Sequence, residues 1–401
     1  MIKELRLYNW KSFEKSHLYI DPLSFVIGVN ASGKSNIFDA LSFLQKISQG
    51  MPINEAAKSI RGGVDWMMRK GSPDFRLTVL ADSQVETEEI EYSVACRKMQ
   101  NNNEIEICDE QLIRRKKKSV WERKLFYTNN PRMQYDSPII PTTFYSEHKG
   151  RQKTRDVNRM STVLSQIEGI QTIKSVKDKA LEMRSLLQAI FVLSPNPSAM
   201  RNYCKLDSKL LPDASNVAGV WAGMTDEKKM LLETQITKYI KLLPEQDIIR
   251  VWTEKIGRFQ TDAMIYCEES WKQGEAIEMD ARGMSDGTLR LIAIIMGLLT
   301  LPQKSLMVIE EIDNGLHPSR TKDLIGLLKA LGDEHHIDVL CSTHNPVLID
   351  ALGPTMLPFI SYVSRNKENG YSEIKLLEDK DNLAKLLAGG GFGSLMINDK
   401  L

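Results

Sequence analysis

The chain has 401 residues, 42% of them hydrophobic, and its 53 Lys and Arg stand against 52 Asp and Glu for a formal net charge of +1. That much apolar chain supports one large or two ordinary cores without disulfide or metal staples, and the balanced charge excludes a globally basic nucleic-acid coat protein. The N-terminus, Met1-Ile2-Lys3-Glu4-Leu5, has no apolar leader, and no apolar run approaches the ~18 residues of a membrane span, so a cytoplasmic protein with no membrane partner is expected. Cysteines 96, 108, 204, 267 and 341 form no C-x-x-C pair and have no zinc-like histidine spacing, and read as reduced and buried.

Residues 2–9 alternate as a strand, and 18–27 read as a second one. It delivers the chain into Gly28-Val29-Asn30-Ala31-Ser32-Gly33-Lys34-Ser35, and a helical run over 36–47 follows. A G-x-x-x-x-G-K-S stretch between strand and helix is a phosphate-binding loop in its required context. Its glycines open backbone angles closed to other residues, so successive N–H groups curl around a β-phosphate at the helix N-terminus. Gly28, Asn30, Ala31, Ser32, Gly33, Lys34, Ser35 and Asn36 are the expected nucleotide contacts. Lys34 reaches the β- and γ-phosphates, and Ser35 holds Mg²⁺.

Arg61-Gly62-Gly63 is a breaker. After it, 75–81 and 89–97 alternate like antiparallel strands, and 103–127 continue that sheet. Residues 138–145, with two prolines, read as a return towards the core. The stretch 111–160 holds thirteen Lys or Arg against four Asp or Glu, a local excess of nine positive charges. Two readings stay open for it: a lysine-rich strand edge kept soluble by its charges, or contact with nucleic acid or an acidic partner, with Trp121, Phe126 and Tyr127 as stacking groups. From Met160 the pattern turns helical over 175–193 and 226–259, joined through Ser194-Pro195-Asn196-Pro197 and Leu211-Pro212-Asp213. The expected divisions are 1–160 (phosphate loop and β-rich lobe), 161–284 (helical lobe) and 285–401.

The last third returns to phosphate chemistry. Met284-Ser285-Asp286-Gly287-Thr288 opens an apolar helix, which fits either an ordinary Ser/Asp cap or a second phosphate seat. Residues 305–309 form a buried-strand run ending in Glu310-Glu311. Such acids can merely cap a following helix, or they can serve a ligand at the strand's C-terminal end. In the second case Glu310 holds Mg²⁺ through water, and Glu311 orients and polarises the water attacking the γ-phosphate. Another short strand, 338–341, ends in Ser342-Thr343-His344-Asn345-Pro346. His344 is either structural or a γ-phosphate contact.

In this order the motifs resemble the ABC-type ATPases, in the soluble branch that contains SMC, RecF and OLD-like proteins. The resemblance implies an α/β fold: an ABC-type P-loop ATPase head with a mixed sheet core, an antiparallel β lobe and an inserted helical lobe. It makes Ser285-Asp286-Gly287 the signature motif, with Ser285 and Gly287 as nucleotide contacts. His344 becomes the switch histidine, and Gln166 is the glutamine chosen for the Q-loop. Two departures stand out. The signature has Asp286 where transporters carry glycine, and no sustained heptads lie between Lys34 and Ser285. About 48 residues follow Gly353, reading as a hairpin at Asn369-Gly370 and a glycine-rich tail, too few for an appended nuclease.

The function this implies is Mg²⁺-dependent ATP hydrolysis by a homodimer, or higher homo-oligomer, that shares its ATP sites. As a switch or scaffold it would control a separate effector, a nuclease or toxin, in antiphage defence. The alternative is a RecF-like repair clamp that binds nucleic acid through 111–160. A transporter subunit is a weaker third reading.

Overall fold

The computed structural model describes residues 1–99, 103–129, 137–147, 153–241, 248–272, 274–315 and 317–380. In chain order its elements begin with β1 (Ile2–Tyr8), β2 (Lys15–Tyr19), β3 (Leu23–Ile27), α1 (Lys34–Ser48), α2 (Ile53–Lys58), β4 (Asp74–Asp82), β5 (Glu88–Lys98), β6 (Ile105–Lys116), β7 (Glu122–Thr128), β8 (Ile139–Phe144) and β9 (Lys153–Asn158). Next come α3 (Val163–Gln166), α4 (Lys174–Gln188), β10 (Ile190–Leu193), α5 (Pro197–Met200), β11 (Cys204–Lys205), α6 (Val217–Ala222), α7 (Asp226–Lys241), β12 (Ile248–Ile256), β13 (Asp262–Lys272) and β14 (Glu275–Asp280). The chain then runs through α8 (Asp286–Thr300), β15 (Leu306–Ile309), α9 (Thr321–His335), β16 (Asp338–Thr343), α10 (Pro346–Leu352), β17 (Ile360–Arg365) and β18 (Ser372–Leu376). It divides into two units. Among the described residues one comprises Met1–Phe191, Lys304–Leu306 and 358–380, and the other Val192–Gln303 and Met307–Leu357.

The first unit carries an antiparallel eight-stranded sheet in the order β2-β1-β4-β5-β6-β7-β8-β9. It also holds β3, which pairs in parallel with β17, itself antiparallel to β18. The expected single strand over 18–27 is therefore two strands. Ser24 accepts from the Asp21 N–H through Oγ (2.9 Å), and Pro22 offers no donor to a ladder. The turn so formed sends β3 into the sheet of β17 rather than that of β1. Trp10, fully buried, packs edge-on against Phe75 at 4.9 Å and near Phe43 of α1 at 5.9 Å. Its indole N–H donates to the Asn36 carbonyl at 2.7 Å. This fixes the first turn of α1 against the sheet, and Ile37, Leu41, Leu44 and Ile47 are buried along the helix at the 3.6-residue period of an amphipathic helix.

Residues 138–145 do not turn back to the core. They form β8, which with β9 extends the same sheet. Pro141 has no N–H to give, but its carbonyl accepts from the Asn129 N–H at 2.7 Å. Beneath the sheet, Glu106 takes Arg97 at 2.6 Å and Arg159 at 3.0 Å, all three buried.

The second unit is less helical than the apolar spacing suggests. Helix α7 ends at Lys241, and β12, β13 and β14 follow as an antiparallel group with β11 on the other side of β13. Helix α8 is buried from Gly287 to Leu298 on almost every face, as expected of a core helix. The cysteines are all free thiols: Cys96, Cys267 and Cys341 are buried, whereas Cys108 and Cys204 are only partly so. Among the described residues no helix is long and apolar enough to cross a membrane.

Candidate nucleotide-binding site

Strand β3 is buried along its whole length and ends at the phosphate loop. Gly28 has φ +152° and Gly33 φ +119°, and Ala31 between them is left-handed at φ +62°, an alternation that turns successive N–H groups towards one side. No side chain fits at either glycine. A Cβ at Gly28 would overlap the Val363 carbonyl oxygen, and one at Gly33 would stand 2.6 Å from Ser372 Oγ. Ser372 is the clamp of the loop, because its hydroxyl donates to the Ser32 carbonyl (2.5 Å) and its oxygen is hydrogen-bonded with the Ser12 hydroxyl (2.8 Å). Ser12 in turn accepts from the Asn36 amide at 2.8 Å.

Helix α1 starts without a side-chain hydrogen bond at its cap, Gly33, and the positive end of its dipole favours an anion there. Lys34 is buried and donates to the carbonyls of Gly28 (2.5 Å) and Val29 (3.0 Å). Ser32 Oγ is buried and has no hydrogen-bond partner among the described residues. Backbone curvature that excludes side chains, an uncapped helix, a buried hydroxyl and a lysine folded over the loop together fit the phosphates of a nucleotide.

Arg61 is a residue the sequence reading passed over as part of a breaker. Its guanidinium donates to the Ser35 carbonyl at 3.0 Å and to Asp39 at 2.9 Å. Lys11 takes the other oxygen of buried Asp39 at 2.6 Å and also donates to the Arg61 carbonyl at 2.7 Å. Three charged groups thus brace the first turns of α1. Gln166 sits at the end of α3, where its amide donates to the carbonyls of Asn158 (3.0 Å), Ser161 (2.9 Å) and Thr162 (3.3 Å) and accepts from the Asn158 N–H. In this structure that side chain braces the turn between β9 and α3, with both amide donors used on backbone.

In the second unit, β15 leads into Glu310, whose N–H donates to the Leu193 carbonyl (3.4 Å). Glu311 is the unusual residue: it is left-handed at φ +50°, a conformation that costs a non-glycine residue ~1–2 kcal/mol. Ser342, on β16, holds it there. The serine Oγ accepts from the Glu311 N–H at 3.0 Å, and the Ser342 carbonyl accepts from the Ile312 N–H at 3.0 Å. Strain of this kind collects where a side chain must be aimed.

His344 Nδ1 lies 3.8 Å from Glu311 Oε1, too far for a hydrogen bond, and the other Glu311 oxygen accepts from the Asn314 amide at 3.2 Å. Glu311, His344 and Asn314 are therefore brought together. Ser285 caps α8, accepting from the Thr288 N–H at 3.1 Å. It stays exposed with Asp286, whereas Gly287 is buried. The hydroxyl of Ser35 and the carboxylate of Glu310 are hard oxygen donors of the kind Mg²⁺ takes.

Two family models match the chain. One is described as an "AAA ATPase domain" and covers residues 1–189. The other is described as "AAA domain, putative AbiEii toxin, Type IV TA system" and covers residues 244–350. By these matches the chain carries AAA-type ATPase domain sequence over residues 1–189 and 244–350. The head fold agrees with solved structures. An SMC head bound to the C-winged helix domain of ScpA is 15% identical, with 93% of this chain and 96% of that one covered and a TM-score of 0.51. An Smc head with an extended coiled coil, bound to the C-terminal domain of ScpA derived from Pyrococcus furiosus, is 14% identical, with 97% and 98% covered and a TM-score of 0.50. No curated protein matches the ATPase chain.

Proposed function

We propose that this ATPase is a nucleotide-driven switch. Two chains close head to tail in the presence of Mg²⁺ and ATP, hydrolysis to ADP and phosphate reopens them, and the closed form controls a separate effector. Lys34 and the loop amides bind the triphosphate, and Ser35 and Glu310 supply oxygens for Mg²⁺. Glu311 accepts the proton of the attacking water, and His344 contacts the γ-phosphate.

The observation that carries the reading is the exposed turn Ser285-Asp286 at the mouth of the buried helix α8. A phosphate loop and a signature turn approach one γ-phosphate from opposite sides, so a partner chain is the natural donor of the second. Both similar SMC heads are bound to a ScpA domain, which supports a protein partner here too. One family description names a toxin and a "Type IV TA system", which supports a toxin–antitoxin setting; in our reading the effector is a toxin or nuclease acting in the cytoplasm in antiphage defence.

The test is complementation. Ser285→Arg and Lys34→Ala should each lose ATPase activity, and mixing them should rebuild one intact site per heterodimer. No recovery in demonstrated heterodimers would refute the shared site.

A second reading, a repair ATPase that grips nucleic acid, is favoured by one cluster. The Trp121 ring is faced by Arg114 (5.1 Å), Lys116 (5.4 Å) and Arg123 (5.1 Å), and Arg123 also lies over Tyr145 at 4.5 Å. An indole ringed by cations is a stacking and phosphate-contacting surface. Arg132, Lys149 and Arg151 of the same basic stretch lie outside the described residues.

A further inference from the structure

The signature turn contains an electrostatic conflict. Asp286 places a carboxylate in the first turn of α8. That suits the helix's own dipole but opposes any phosphate arriving at the same amides. The side chain is 62% exposed, so solvent-facing anions meet it directly. Arg201, the residue that closes α5, resolves the conflict. Its Nη2 donates to Asp286 Oδ1 at 2.7 Å and to the Met284 carbonyl at 2.8 Å, thereby bridging the residues on either side of Ser285. Gly315 packs against the same turn, where a Cβ would stand 3.6 Å from the Gly287 nitrogen and 3.7 Å from Asp286 Cβ. The Asp286 side chain thus has Arg201 as its ion-pair partner. A half-exposed ion pair of this kind contributes little to folding, which leaves the geometry and charge of the turn as its use.

We propose that Arg201 is a positioning residue for the γ-phosphate: it draws the Asp286 carboxylate away from the incoming triphosphate, neutralises it, and fixes the turn that presents Ser285 and Gly287. This rests on the shared-site reading above. Arg201 need not touch the nucleotide, because its effect runs through Asp286.

The experiment is a double-mutant cycle on the full chain, with ATP as the probe. Arg201→Ala should lower kcat about tenfold or more, since every ~1.4 kcal/mol of lost stabilisation is a factor of ten, and leave ATP binding within about twofold, because binding belongs to the Lys34 loop. In an Asp286→Gly background the same Arg201→Ala change should cost less than about twofold, because the charge to be neutralised is gone. A general structural role would cost the same in both backgrounds. The penalty should also shrink between 0.1 and 1 M salt, as the Debye length falls from ~10 to ~3 Å. Should Arg201→Ala not fold, Arg201→Gln replaces it, since it removes the charge but keeps a donor for the Met284 carbonyl.

An equal penalty in both backgrounds, or none in the Asp286 chain, overturns the proposal. Recovery of activity in the Ser285→Arg and Lys34→Ala mixture is scored separately, so failed coupling beside successful recovery counts against Arg201 alone.

Discussion

Ser342→Ala is the sharpest test of how Glu311 is aimed. The serine hydroxyl accepts the Glu311 N–H at 3.0 Å and is itself buried. Removing it leaves that N–H unmatched at a cost of ~1–3 kcal/mol. The left-handed backbone at Glu311, φ +50°, is already ~1–2 kcal/mol uphill. With the Ile312-to-Ser342 bond as the remaining tether to this serine, relaxing Glu311 into an ordinary conformer becomes favourable by about 1–2 kcal/mol, and the aimed population falls roughly 5- to 30-fold. Steady-state phosphate release should therefore show kcat reduced by about that factor while nucleotide affinity is retained. Glu311→Gln should slow hydrolysis by orders of magnitude, and adding Ser342→Ala to it should change little, because both act on the same water. Unchanged kcat in Ser342→Ala, or an equal loss in the Glu311→Gln background, would refute the reasoning.

Three further outcomes are expected. Lys34→Ala should abolish binding of a fluorescent ATP analogue with far-UV circular dichroism unaltered, since the loop's own lysine is lost. Trp121→Ala should weaken duplex binding and Arg123→Gln should flatten its salt dependence; duplex affinity unmoved by either would remove the repair reading. Burial raises the Glu110 carboxyl from 4.5 to about 7 despite donors from Val163, Leu164 and Tyr92. Between those two values the folded chain binds more protons than the unfolded one, so this group's contribution to stability falls as pH rises, by about 3 kcal/mol in all. Glu110→Gln should remove that slope from the difference in melting temperature between variant and wild type across pH 5 to 8, and an unchanged slope would exclude Glu110 as its source.

The parts of the site that could be read in sequence are those whose chemistry is local. Gly28 to Ser35 specify loop, helix start and lysine within eight residues, and Glu310-Glu311 and His344 each follow a strand that is buried from end to end. What escaped is tertiary. Arg61 matters through Ser35, 26 positions away, and Arg201 through Asp286, 85 positions away, and neither spacing has a periodic signature. Residues 226–259 carry apolar groups at helical spacing, but a short apolar run at that spacing does not exclude a strand. The chain chooses α7 and then β12, because Val251 and Trp252 pair opposite Cys267 and Tyr266 of β13, a partner invisible at that point of the sequence. Pro138 and Pro141 suggested a departure from the sheet. Pro141 instead faces Asp156 in the β8 to β9 register, and the missing donor costs the sheet one bond rather than the strand.

A switch of this kind must also balance energetically. Driving a closure equilibrium from 1:99 to 99:1 takes a differential affinity of ~5.5 kcal/mol. A twofold dimer of this chain has two phosphate loops and two signature turns, so each γ-phosphate has to contribute about half of that, which one or two charge-assisted hydrogen bonds of ~1.5–3 kcal/mol supply. The Ser285 hydroxyl and the first-turn amides of α8 are donors of that strength, whereas an unneutralised Asp286 would offset one of them. Closure is then set by a narrow margin. On the proposed shared site, ADP, which lacks the deciding phosphate, would leave the chains apart, and the charge at Asp286 would become the term on which the direction of the switch depends.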